Sequence, residues 1–142
     1  MRRITSSTIC AIRVGVLISL LVVVPGGFLA KLYSGPAQSW FNNYGAGVLY
    51  EVFWCLVFLF LWPRKEAITR IVVGVLLVTC LLEVLQLWHP RILEQVRATF
   101  LGRTLIGTTF TWWDFPHYVL GCAIGWLWLR SLVEACEKRG RP

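Results

Sequence analysis

Between Val14 and Ala30 the chain runs for seventeen residues without a charge. Three more apolar stretches follow: Gly45 to Trp62, broken only by Glu51; Ile71 to Trp88, with Glu83 and Gln86 near its end; and residues 115–130, from Phe115-Pro116 through Trp128-Leu129. A helix needs about 20 apolar residues to cross a bilayer, and a water-soluble domain has nowhere to bury four such segments. Composition agrees, since charged residues make up 15% of the chain where a soluble protein has about 25%. The reading is an all-α polytopic membrane protein, one membrane domain over 1–142, with spans at about 14–30, 45–62, 71–88 and 115–130. The 142 residues leave no room for a separate soluble domain.

The first run is basic at its start, with Arg2, Arg3 and Arg13, as a secretory signal would be. A signal h-region is usually shorter, however, and Phe28 suits poorly the position two before a cut at Ala30. A retained span is expected, kinked or ended by Pro25-Gly26-Gly27. Lys31 to Asn43 reads as a loop around Ser34-Gly35-Pro36. Pro63-Arg64-Lys65-Glu66 stops the second span and His89-Pro90 the third. Beyond it, Ile92, Leu93, Val96, Phe100 and Leu101 recur at helical spacing opposite Arg91, Glu94 and Arg97, the pattern of an amphipathic helix in the membrane interface between the third and fourth spans. Gly102 to Thr111 then offers turns.

An even number of crossings puts both termini on one side. Ten basic residues fall there: Arg2, Arg3, Arg13, Arg64, Lys65, Arg70, Arg130, Lys138, Arg139 and Arg141. Lys31, Arg91, Arg97 and Arg103 fall on the other. By the positive-inside rule both termini are expected in the cytoplasm, in a bacterial inner (plasma) membrane. The formal charge of +7 is therefore an orientation signal, and no nucleic-acid partner is expected. The five cysteines form no C-x-x-C pair and read as buried thiols; neither a metal nor a cofactor is expected.

With direction fixed, depth follows. Glu51 lies two turns into an inward-running span, Glu83 and Gln86 lie in the last turns of an outward-running one, and Asp114 and His117 open the fourth. All fall toward the outer face. Ionisable groups facing lipid are costly, at least about 2.5 kcal/mol at the bilayer centre, so these side chains should turn inward. Together with Arg103 they make a candidate polar pocket: Glu51, Glu83, Gln86, Arg103, Asp114 and His117. Gly121 and Gly125, at small-xxx-small spacing, are read as the packing face that lets another helix come close. Each residue has a plainer reading beside this one. Asp114 serves equally as an N-cap, His117 and His89 as interface residues, and Glu51 as a structural partner of Arg103 or Lys31. Gln86 serves as a lone interhelical hydrogen bond, and the eight tryptophans as belt residues.

Glu83-Val84-Leu85-Gln86, Arg103, Asp114 and the Gly121/Gly125 pair resemble the pattern of VanZ-like proteins, small bacterial membrane proteins named for one linked to teicoplanin resistance. More closely, five runs resemble domain-of-unknown-function family 2809: Phe41-Asn42-Asn43-Tyr44, Leu49-Tyr50-Glu51-Val52-Phe53-Trp54, Leu85-Gln86-Leu87-Trp88-His89-Pro90, Leu101-Gly102-Arg103 and Trp113-Asp114-Phe115-Pro116. That resemblance covers roughly residues 25–130 and puts Glu83, Gln86, Arg103 and Asp114 on motif positions. VanZ-like surroundings carry an asparagine shortly after the aspartate. This chain has His117-Tyr118 instead, which puts any contact made by that asparagine in doubt.

The leading functional expectation is a cell-envelope protein that binds membrane lipids, an anionic or lipid-linked headgroup, or a membrane protein partner, with the pocket near the outer leaflet. An enzyme acting on a lipid or lipid-linked glycan headgroup is the alternative, with His117 as acid or base and Arg103 on a phosphate. No Ser-x-x-Lys, His-Glu-x-x-His or phosphate loop supports it. A small transporter is weaker, since no inverted repeat is evident.

Overall fold

In a computed structural model of the chain the described residues are 6–106 and 109–139, without the side chains of 103–105. Among them there are helices and no strand. α1 (Ser6–Leu32) is followed by α2 (Gln38–Trp40), a π-helical turn (Phe41–Gly45) and α3 (Ala46–Leu61). A 3₁₀ turn (Lys65–Ala67) leads into α4 (Ile68–Leu85); α5 (Arg91–Ala98) and α6 (Phe100–Ile106) separate it from α7 (Asp114–Arg139). Four rods, Ser6–Leu32, Gln38–Leu61, Lys65–Leu85 and Asp114–Arg139, are long and apolar enough to cross a membrane.

Their outward faces settle the class. Leu21 is 75% exposed, Leu81 68% and Leu29 67%, among many large apolar side chains that pack on nothing. Such surface is untenable in water on this scale and ordinary against lipid. The chain is a membrane protein.

α3 is the central helix, in contact with α1, α4 and α7, while α7 also packs on α4 and α1. The core runs down that centre: Ile12 and Val16 from α1, Val52, Leu56 and Leu59 from α3, and Leu129 and Val133 from α7 are all fully buried. Toward the other end the α3–α7 seam closes at two glycines. A Cβ on Gly121 would lie 2.7 Å from the Glu51 Cβ and 2.8 Å from the Val48 carbonyl, and one on Gly125 would lie 3.2 Å from Cys55 Sγ. Trp128 Nε1 ties α7 to α1 by donating to Ser19 Oγ at 3.1 Å.

The helices run past several expected boundaries. α1 passes through Pro25 without ending, because a bilayer offers the freed carbonyl no competing water and favours helix over any other backbone form. The expected loop from Lys31 to Asn43 is shortened, since helix resumes at Gln38; its turn holds Ala37 in the left-handed region at φ 59. α7 reaches Arg139, beyond the expected 130, with Lys138 and Arg139 in its last turn, where basic residues suit the helix dipole. Phe100–Ile106 is helix where Gly102 and its neighbours suggested turns.

The amphipathic segment holds the largest correction. Arg97, expected on the solvent face of α5, is only 4% exposed. It donates to the Leu85 carbonyl at 2.9 Å, to the Trp88 carbonyl at 3.0 Å and to Glu94 Oε1 at 3.2 Å. The end of a helix leaves carbonyls without partners, and a guanidinium there meets both their hydrogen-bonding need and the negative end of the helix dipole. α5 is thereby clamped under the end of α4. His89 Nδ1 lies 2.8 Å from Glu94 Oε1, and this ring, with Arg97 beyond it, holds the Glu94 carboxyl below its ordinary range.

Three outcomes follow for stability. Gly121→Leu should lose about 1–3 kcal/mol through overpacking of the seam, measured by reversible unfolding in detergent. Gly74→Leu, where an added Cβ meets nothing within 4 Å, should stay within about 0.5 kcal/mol of the parent. Arg97→Ala should lose about 1.5–3 kcal/mol, the range for hydrogen bonds to a charged group, and speed amide exchange across residues 83–98.

Candidate functional site

Four helix ends meet at the end of the bundle opposite Ser6 and Arg139, and polar side chains gather there. Glu83, in the last turn of α4, is 1% exposed. Its Oε1 accepts the backbone N–H of Thr111 at 2.8 Å; its Oε2 accepts the Tyr118 hydroxyl at 2.8 Å and the Gln86 amide nitrogen at 3.0 Å. The same Gln86 nitrogen donates to the Ile106 carbonyl at 3.0 Å. One carboxyl thus joins α4, α7 and the segment between them. Gln86 follows Glu83 by three residues and so shares its helix face, which is why α4 can present both.

Asp114 stands in the first turn of α7 beside Glu83, half-buried, with Lys31 and His117 as its charged or titratable neighbours. His117 Nδ1 donates to the Trp113 carbonyl, which can only accept. Its ring stacks on Tyr44 at 4.3 Å between centroids and meets Trp40 edge-on at 5.9 Å. Tyr44 is aimed there by the π-helical turn, where the Ala46 N–H bonds to the Phe41 carbonyl; such widened turns recur at functional sites.

These groups line one end of a cavity of about 1070 Å³. Lys31, Asn43, Tyr44, Glu83, Gln86, Thr111, Asp114, His117 and Tyr118 make its polar end. Val23, Phe28, Leu49, Phe53, Trp54 and Leu82 make its apolar walls. Gln86 is 7% exposed, and its Oε1 has no donor among the described residues. An unpaired buried acceptor is expensive, and the side chains of 103–105 and residues 107–108, which flank Ile106, lie outside the described residues.

The candidate residues therefore divide. Glu83, Gln86, Asp114 and His117 come together on the cavity. Glu51 does not line it: fully buried in the α3–α7 seam, it accepts the Cys122 thiol on Oε2 at 3.3 Å. Lys31 is at the cavity rim, and Glu51 Oε1 has no donor among the described residues. Arg103 is on α6, and its side chain lies outside the described residues. Gly121 and Gly125 sit on the seam with α3. Sequence reasoning passed over Tyr118 and Tyr44. The spacing of four from Asp114 to Tyr118 to Cys122 was the available signal for the first, since all three share a face of α7. Nothing in the sequence marked the π turn that aims Tyr44.

A family model described as Protein of unknown function (DUF2809) matches residues 36–122. The chain belongs to this family. The match holds the polar end of the cavity from Asn43 to Tyr118, while Lys31 and the α1 wall lie outside it. No curated protein and no solved structure matches the chain.

Removing the Glu83 carboxyl leaves three donors short of an acceptor. Glu83→Ala should therefore destabilise by about 2–5 kcal/mol and Tyr118→Phe by about 1 kcal/mol. A double-mutant cycle between them, read by unfolding in detergent, should give a coupling of about 0.5–3 kcal/mol.

Proposed function

We propose that this protein binds a membrane lipid, holding the headgroup in the polar end of the cavity and the upper part of the tail against its apolar walls. The amphipathic division of that one cavity carries the reading. Its described polar groups favour a headgroup that donates hydrogen bonds. Glu83, Asp114 and Gln86 Oε1, which has no donor among the described residues, are acceptors, and Lys31 is the one cation among the described lining residues. An ammonium or a cluster of hydroxyls suits such a set. Recognition of a purely anionic headgroup rested on Arg103, whose side chain is not described, and is the less favoured form.

The basic residues at the opposite end support an orientation with both termini in the cytoplasm. There Glu134 accepts from Lys65 at 3.1 Å and Arg130 at 3.0 Å, and Arg13 lies over Phe60. The cavity then opens at the outer leaflet of a bacterial plasma membrane, in keeping with a VanZ-like role in the cell envelope. Turnover of a lipid or lipid-linked glycan headgroup is the second reading. The observation favouring it is His117: with Nδ1 held by the Trp113 carbonyl, Nε2 is the nitrogen left to take or give a proton.

Native mass spectrometry in gentle detergent tests the proposal. Wild type should carry a lipid, and Asp114→Asn should carry about tenfold less or lower still, the effect of losing about 1.4 kcal/mol of binding. A lipid-free wild type, or an Asp114→Asn protein with unchanged lipid, would overturn it. A stoichiometric protein bound in place of lipid would instead support an assembly role.

A further inference from the structure

A second hollow, an apolar groove of about 640 Å³, runs between α3 and α4. Tyr50, Trp54, Phe58 and Trp62 form one wall as a continuous ladder, with successive ring centroids 6.1, 6.0 and 6.4 Å apart. The α4 wall contains Gly74, where an added Cβ would meet nothing within 4 Å. That glycine serves no helix contact; its effect is to leave the groove open.

The groove adjoins the cavity. Tyr50, Trp54, Thr79 and Leu82 line both, so the two hollows meet across these four side chains. Its chemistry, however, is different. Thr79 turns its hydroxyl back onto the Val75 and Leu76 carbonyls at 3.0 and 3.1 Å, and Arg70 enters only at the far end. A headgroup would find almost nothing to bond along this path, whereas a hydrocarbon tail fits it. From Ala67, at the end of the 3₁₀ turn, to Leu82 on α4 the groove covers sixteen residues, about 22 Å at about 1.5 Å per residue. One leaflet of the hydrocarbon core is about 15 Å thick, half of about 30 Å.

We infer that cavity and groove are one site for a lipid whose tail is longer than a single leaflet: the headgroup lies among Glu83, Gln86 and Asp114, and the tail runs down between α3 and α4, past Gly74, to Trp62. This rests on the lipid-binding reading above and adds to it a selection for tail length. The groove is a tail channel, and its apolar lining rules it out as a route for moving headgroups across the membrane.

The test uses two probe series, lysophosphatidylethanolamines and alkyl glucosides, each with short, medium and very long tails, titrated onto the full chain in nanodiscs. Wild type should bind the very-long-tail member of at least one series tenfold or more tighter than the short one. Gly74→Phe should abolish that gain and leave short-tail affinity unchanged; Gly74→Leu, a smaller plug, serves where the phenylalanine fails to fold. A very-long-tail probe with a diazirine at its tail end should label residues 62–71.

Affinity independent of tail length would overturn the groove and leave the cavity reading standing. So would a length dependence that survives Gly74→Phe, or labelling confined to α1. A dimer of the chain dissolved by Gly74→Phe would assign the groove to a second copy and overturn it as well. Failure of every probe in both series to bind wild type would overturn the cavity reading, and this inference with it. The series that binds names the donor chemistry, ammonium or hydroxyl.

Discussion

A carboxyl group inside a bilayer has no water to turn to, and the arrangement around Glu83 follows from that constraint. An acceptor oxygen buried there is costly until a donor reaches it. Glu83 obtains three, from Thr111, Tyr118 and Gln86, and each is brought by a different stretch of backbone or a different turn. To satisfy one side chain, α7 must begin close to where α4 ends, and the segment between must fold back over both. The cavity is the space those demands leave between the helix ends.

The rest of the bundle supports that junction in two ways. At the α3–α7 seam, Gly121 lets the backbones approach until an added carbon would meet the Val48 carbonyl, which fixes the depth of α7 and hence of Tyr118. At the α4 terminus, Arg97 gathers the loose carbonyls of Leu85 and Trp88 and pins α5 beneath them. Both devices act near the polar end. Toward the termini the bundle relies on apolar packing and exposed ion pairs such as Lys65–Glu134, which contribute little.

The class of fold and the four spans were legible because lipid demands long apolar runs, and nothing else in a chain of this size explains them. That Glu83, Gln86 and Asp114 gather at one end of the bundle was legible too, because it follows from the alternating direction of the spans. What periodicity could not give was partner choice. Glu51 and Glu83 occupy similar depths on neighbouring helices, yet Glu51 faces the seam and meets a thiol, while Glu83 faces the cavity. A rotation of α3 by part of a turn separates the two outcomes, and apolar residues all round the helix leave that rotation unmarked. Arg97 was hidden for a related reason: a basic residue in an amphipathic helix looks the same whether it reaches water or the carbonyls of the helix above it.

The thinness of the bundle bears on what it can do. Only 28–33% of each spanning window is buried inside the protein, so four helices cannot enclose a large chamber at mid-membrane. A hollow of about 1070 Å³ exists only where the helix ends diverge and α6 covers part of the gap. Such a place holds acceptors whose donors are not all supplied by the described residues. The lipid proposed as its occupant is already in the membrane, so no route across the bundle is required.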